Sequence, residues 1–530
     1  MASDAYSALD KAWRGTCRVL FGQEAGGLSD CAGWLSEYAE EIRSEKSSIS
    51  GKAVTFTQNE YSGSARFMAF DEIGYGKKFA PIPLDDMKDI DSLVTAAKER
   101  LQYAGNVVLG HSSGVQNSSN VTDSHYVLDS TAVASSKYVA YSKYIKESEY
   151  CFGVFGAEKD AYLVKSMGSS LKRCFECHMV NYLSDCYYCA KTQNCRECFF
   201  CFGMENGSYA IGNTPVGKEK YLALKAKLLP EIAEKIRKDG RIFSLLKLIE
   251  EAGAHKPDSR LKFAKEKEAA FDIAPVQKGF DSACRLVFGK EMGEIGKYEK
   301  FLFKHVPKNV VVPSPLSGSA SVVCGYRRHV LNKFEIARRL PTEDEIRSVG
   351  KLAGMVKTDV GGMELSALAE QFHPIAYTNL DKVAGKCTNF RNCAVIIESQ
   401  DCLEGSAFDY SKKCGYNFWA SNAESVFGSC AAWFSTFVLK NFYSKNMTRS
   451  LECDGCESCT DLYYSHNCEN VRDSMFCFNA KNLTNAVGNA PLPAEQYRKM
   501  KGAIVAQLAD ELEKKKDLKW DIFNIGAISK

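Results

Sequence analysis

From Val121 to Ser148 every third residue is aliphatic or serine in strict alternation, and a cysteine takes the next such position: Val121, Ser124, Val127, Ser130, Val133, Ser136, Val139, Ser142, Ile145, Ser148, Cys151. Few backbone forms tolerate that period. In an α-helix a period of three drifts by about 60° per step against 3.6 residues per turn. A 3₁₀-helix has the right number but rarely runs beyond a few residues. Polyproline II also repeats every three residues, yet no proline lies between Pro83 and Pro215 or between Pro374 and Pro491. A flat strand sends successive third residues to opposite faces. What remains is a chain that bends after each short extended piece, so that every third side chain points inward: a β-solenoid of stacked rungs. Keeping Val over Val and Ser over Ser asks for a rung that is a multiple of six residues, with about 18 as the expectation.

The pattern recurs downstream as Cys387, Phe390, Cys393, Ile396, Ser399, Cys402, and again from Cys453 to Ala486. Of the 22 cysteines, all but Cys17, Cys31, Cys284, Cys324 and Cys430 fall in phase. The chain also repeats itself. TCRVLFGQE (16–24) returns as ACRLVFGKE (283–291), and CFGMENGSYAIGNTPVGKEKY (201–221) as CFNAKNLTNAVGNAPLPAEQY (477–497). Two matched segments in the same order predict a duplication. The expected fold class is α+β: two tandem copies of a β-solenoid, flanked and capped by α-helices. Copy one spans 1–262, with a helical cap 1–105, a solenoid 106–214 and capping helices 215–262. Copy two spans 263–530, with a helical and β cap 263–380, a solenoid 381–490 and a capping helix 491–530.

Charge is nearly balanced, 68 basic against 65 acidic residues, net +3. That argues against a constitutive polyanion binder but leaves nucleic acid open as a local partner. No run of apolar residues is long enough for a membrane span, and MASDAYSALDKAWRGT lacks the charged and apolar regions of a secretory leader. The expectation is a cytoplasmic protein, with its cysteines reduced.

The strongest apparent motif is CFECHMVNYLSDCYYCAKTQNCRECFFC (174–201). Thiolates three residues apart can grip a tetrahedral zinc ion. The second copy argues otherwise: Cys186, Cys189, Cys195 and Cys198 face Leu462, Ser465, Val471 and Ser474, while Val180, Leu183 and Thr192 face Cys456, Cys459 and Cys468. Core positions exchange with Val and Leu; ligands do not. No cofactor is expected; were zinc bound, Cys453, Cys456, Cys459 and Cys468 would hold it. A second pattern lies one residue before each inward position: Tyr126, Tyr138, Tyr141, Tyr144, Tyr150, Tyr188 and Phe200, then Trp419, Phe434, Phe437, Tyr443, Tyr464 and Phe476. Near the surface of a narrow coil these rings would stack into ladders, either binding glycans, bases or a protein, or packing under helices and the other copy. Tyr126, Tyr138, Tyr141, Tyr144, Tyr150, Trp419, Phe434, Phe437 and Tyr443 are the candidate binding residues. No Walker loop, nucleophile elbow or HExxH is present.

The C-x-x-C ladder running into FFCFGMENGSYAIGN (199–213) and a KEKY helix start resembles uncharacterised microbial cysteine-rich period-three repeat proteins, over 135–225 and more loosely 450–500. That resemblance implies an architecture and no activity. The functional expectation is a non-enzymatic structural or interaction protein with a protein partner or self-assembly. The alternatives are a β-helix acyltransferase-like enzyme, with His125, His178 or His466 as the candidate histidine, and a zinc-dependent RNA-binding protein.

Overall fold

The computed structural model describes residues 4–527 apart from 84–87, 268, 355–362, 410–414, 422–424, 433–436 and 441–448, and between 407 and 448 only Phe427 and Gly428 are described with their side chains. The fold is α+β. Its strands are mostly four residues long and parallel: Lys137–Ala140 lies between His125–Leu128 and Glu149–Phe152, and Lys143–Lys146 between Thr131–Ala134 and Phe155–Glu158. Lys137 pairs with Glu149 and Lys143 with Phe155, so pairing returns after twelve residues, and the Ser136 N–H reaches the Ser124 hydroxyl across the same interval. The expected spacing of about 18 is therefore corrected to twelve.

The residue before each inward side chain supplies the bend. Tyr126, Asp129, Ala132, Ser135, Tyr138, Tyr141, Tyr144, Glu147 and Tyr150 all have φ between 43° and 60°. This left-handed conformation costs a non-glycine residue about 1 kcal/mol, and here it recurs every third position. Inward serines help to offset the cost. Ser136, Ser142 and Ser148 each donate a backbone N–H to the hydroxyl of Ser124, Ser130 and Ser136, at 3.0 Å. Each hydroxyl in turn donates to the carbonyl two residues before it, as Ser136 Oγ does to Ala134 at 2.7 Å. Valine alternates with serine because its own strand already pairs the backbone, so only packing is required there. Val121, Val133 and Ile145 stack in one buried interior column and Val127, Val139 and Cys151 in a second, which the cysteines continue.

The ladder opens on an interval of thirteen, Val108 pairing with Val121, and from Ser113 onward slips once. Leu163 pairs with Cys174, eleven residues on, and Asp160 stands where a serine would otherwise point inward. Its longer side chain reaches the N–H of Leu171 and, at 2.9 Å, that of Glu158. In the downstream ladder Lys440 pairs with Leu451 across a similar irregularity, and these two residues match Val164 and Phe175 in the sequence repeat.

Helix α1 (Asp4–Phe21) buries Leu9, Trp13, Cys17 and Leu20 on one face. It runs along the flank of the first ladder, with Trp13 edge-on to Phe152 at 5.3 Å and Phe21 edge-on to Phe175 at 5.0 Å. Thus α1 covers a side of the ladder. Helices α2 (Lys218–Asp239) and α3 (Leu245–Glu251) follow its last strands, and the chain then enters α4 (Ala274–Phe288) and finally α5 (Ala494–Lys515). Matched residues do matched work: Tyr187 Oη donates to Leu20 O and Tyr463 Oη to Val287 O. Asn213 clamps both backbone groups of Phe202, as Asn489 clamps those of Phe478.

The segments between the flanking helix and each ladder cross over. One core joins the first ladder to Val323, Val330, Ile346, Leu368, Phe372 and Tyr377 of the second half. The other joins the second ladder to Val54, Phe56, Phe67, Leu93 and Tyr103 of the first. Polar contacts follow the same exchange: Tyr103 Oη donates to Ile522 O at 2.6 Å and Lys191 Nζ to Asp381 O at 2.7 Å. Among the described residues no helix is long and apolar enough to cross a membrane.

Candidate interaction face

Because pairing returns every twelve residues, side chains twelve apart stack in columns. Tyr126, Tyr138, Tyr150 and Tyr162 share one such column. Successive ring centroids lie 5.2, 4.9 and 4.6 Å apart, with interplanar angles of 5°, 27° and 7°. All four rings are half-buried, and Tyr126, Tyr138 and Tyr150 pack against the edge of the first core. Gly114 closes the upper end; a Cβ there would come within 3.0 Å of Tyr126 Cδ1. Below Tyr162 the column continues as Arg173 and Asp185, joined by two contacts of 2.6 Å. Lys137 Nζ lies 4.9 Å from the Tyr138 ring centroid. Each tyrosine face is spent on its neighbours, so the column offers edges and hydroxyls rather than ring faces. Sugars and bases, which stack on faces, are poorly served by its interior members. Tyr162 was not among the expected residues, although it stands one repeat after Tyr150.

Tyr141 and Tyr144 do not join this column. Tyr141 is buried beneath α1, and burial pushes its phenol up. Tyr144 stands edge-on to Phe155 at 5.6 Å and packs against both hydrophobic cores, at the meeting of the two halves. Both are corrected from binding to packing positions. Tyr188 and Phe200 stack at 5.1 Å inside the first core, and Tyr464 and Phe476 at 5.4 Å inside the second. Trp419 and Phe437 are described as backbone alone, on Gly415–Ser421 and Phe437–Lys440, while Phe434 and Tyr443 lie outside the described residues.

The cysteines line the interior. Cys453, Cys456, Cys459 and Cys468 are buried, and each thiol donates to the carbonyl two residues earlier, at 3.5, 3.5, 3.1 and 3.5 Å. Sulfur thus repeats the hydroxyl's inward contact. Burial pushes the Cys177, Cys468 and Cys477 thiols up. Among the described residues no group of three or more His, Cys, Asp or Glu has the geometry to hold a metal ion.

The three ladder histidines have separate environments. His466 bonds Asp454 through Nδ1 at 2.9 Å and accepts the Ala104 N–H on Nε2 at 3.0 Å, so both ring nitrogens are engaged. His125 Nδ1 meets Ser113 Oγ at 2.8 Å. His178 is buried against the Tyr38 ring at 4.4 Å, and burial pushes its pKa down to about 3.

Sequence reasoning missed a buried charge cluster on the column of Tyr141 and Tyr188. Lys165 Nζ lies 2.6 Å from Glu37 and 3.7 Å from Glu176, with both Lys165 and Glu176 fully buried. Glu176 accepts from Tyr38 Oη and from the N–H of Leu245 at the start of α3, and burial raises its pKa to about 7. Its matched residue Glu452 accepts from the N–H of Ile522 at 2.9 Å. The visible signal was the repeated glutamate in FECH and LECD, one residue before an inward cysteine. These glutamates anchor the segment that follows each long C-terminal helix. Comparison with family models, curated proteins and solved structures finds no match for this chain.

Proposed function

We propose that this chain is a non-enzymatic, cytoplasmic interaction protein: two β-solenoids produced by internal duplication, interlocked as a pseudo-dimer, with a protein partner held along Tyr126–Tyr162. The observation that carries this reading is the half-buried tyrosine column. It presents one aromatic edge and one hydroxyl per rung, a repeat that matches the strand spacing of about 4.8 Å and suits an extended segment with its own regular groups. Duplication is supported by the matched contacts of Tyr187 with Tyr463, Asn213 with Asn489, and Glu176 with Glu452. The reciprocal exchange of segments supports the pseudo-dimer, since each core takes apolar side chains from the other half. Buried free thiols suit a reducing compartment.

A photo-crosslinking residue in place of Tyr138 tests the reading in native lysate, with the same residue in place of Lys238 as the control. The expected outcome is one discrete adduct at position 138, abolished by Tyr126→Ser with Tyr150→Ser. A strictly monomeric protein that gives no adduct and turns over an acyl donor would overturn the proposal.

A further inference from the structure

A groove of about 370 Å³ lies lower on the first ladder, lined by Lys159, Lys172, Tyr182, Ser184, Asn194 and Arg196 among others. Its position follows from the twelve-residue repeat. Ser170, Tyr182 and Asn194 stack in one column, and Lys172, Ser184 and Arg196 in the next but one. Tyr182 is 62% exposed, more than any other large apolar side chain among the described residues. It faces no neighbouring aromatic ring within the column, since Ser170 and Asn194 flank it. With a serine and an asparagine beside it in place of further rings, most of its ring surface is exposed, whereas Tyr138 is half-buried between two tyrosines.

The surrounding charge is cationic. Nearby carboxylates already have partners: Asp185 is held by Arg173 at 2.6 Å, Glu197 by Lys225 at 2.7 Å and Glu158 by Lys146 at 2.9 Å. Glu147 sits 4.0 Å from Lys159. Among the described residues Lys172 and Arg196 have no carboxylate within the 4.0 Å of an ion pair. The fold does not demand this arrangement. At matched positions the second half carries Thr448 for Lys172 and Ser458 for Tyr182, while retaining Asn470 and Arg472. At these matched positions the second half has no counterpart of Tyr182 or Lys172.

The geometry points to a single-stranded nucleic acid site: one unpaired base stacks on Tyr182 while flanking phosphates meet Lys172 and Arg196, with Lys159 adding to the field. An open aromatic face beside a cationic track is how sequence-tolerant single-strand binding is built. A duplex keeps its bases stacked inside and offers the ring nothing. An acidic protein would use the cations without the tyrosine. This site is separate from the tyrosine column, so its failure leaves the Tyr138 crosslink standing.

The test is fluorescence anisotropy of the full chain with labelled oligouridylate and oligothymidylate of about 12 nucleotides, with duplex DNA and polyglutamate as comparators. Both single strands are expected to bind, weakening with salt at a log–log slope of about −2 for three cations. A stronger response to uridylate than to thymidylate identifies RNA as the source, and the reverse DNA. Tyr182→Ser and Lys172→Thr copy residues the second half already carries, so folding is preserved, as circular dichroism would verify. Tyr182→Ser is expected to weaken single-strand binding about tenfold, and Lys172→Thr to flatten the slope by about 0.7. Absence of binding at low salt, binding indifferent to Tyr182→Ser, or polyglutamate binding as tightly as the oligonucleotides would each overturn the proposal.

Discussion

At the scale of single residues, a hydroxyl can hold two paired segments of the ladder together. Ser142 Oγ donates to Ala140 O at 2.8 Å and accepts the buried N–H of Val154 at 3.0 Å. Ser142→Ala would leave that N–H without a partner, at a cost of about 1–3 kcal/mol, measurable by urea denaturation. An unchanged midpoint would remove the serine ladder from the account of stability. Asp160 makes a pH prediction. Burial raises its pKa from the ordinary value of 3.8 to about 7, although the backbone bonds from Leu171 and Glu158 pull the other way. The folded state therefore binds more protons than the unfolded chain across that window. The contribution of Asp160 to stability is fully present below about pH 4 and is lost as pH rises through 7. Glu176, also raised to about 7, adds to the same trend. Asp160→Asn is expected to flatten the fall in stability between pH 5 and 8, followed as thermal midpoint against pH; an unaltered slope would remove Asp160 from the titration.

At the scale of elements, one inward position accepts serine, cysteine or an aliphatic side chain because each meets the same two demands, small volume and either a proton for a nearby carbonyl or simple packing. Cys189 donates to Tyr187 O at 3.4 Å, and its matched Ser465 donates to Tyr463 O at 3.1 Å. Cys189→Ser is thus expected to cost less than about 1.5 kcal/mol and to leave the metal content unchanged, as elemental analysis alongside thermal unfolding would show. Loss of zinc together with loss of fold would instead make the cysteines ligands. The period of three was readable because inward volume alone imposes it. The pairing interval was not: alternation of Val121 with Ser124 fits any multiple of six, and the choice is made by the left-handed residue at each third position and by Ser136 reaching back to Ser124. The roles of Tyr126, Tyr141 and Tyr144 were likewise unreadable, since they share a phase of three but occupy three different places in the twelve-residue repeat, Tyr126 at the edge of the first core, Tyr141 buried within it and Tyr144 between the two cores.

At the scale of the whole molecule, the exchange of segments makes the two halves interdependent. Which ladder the segment carrying Tyr103 covers cannot be read from its apolar pattern, because the two ladders are built alike; docking chooses the second, through Ile522 O and His466. Residues 1–262 alone would expose the face that Ile346, Phe372 and Tyr377 cover, and residues 263–530 the face that Phe56, Phe67 and Tyr103 cover. An apolar face of that kind favours association of the separated halves over independent folding. Co-expression of the two fragments is expected to give a one-to-one complex that unfolds as one cooperative unit, whereas either fragment alone aggregates or self-associates, with size-exclusion chromatography and light scattering as the measurement. If residues 1–262 instead run as a monomer with a sharp thermal transition, the exchanged segments are ornaments on two self-sufficient domains, and the interlocked pseudo-dimer falls with them.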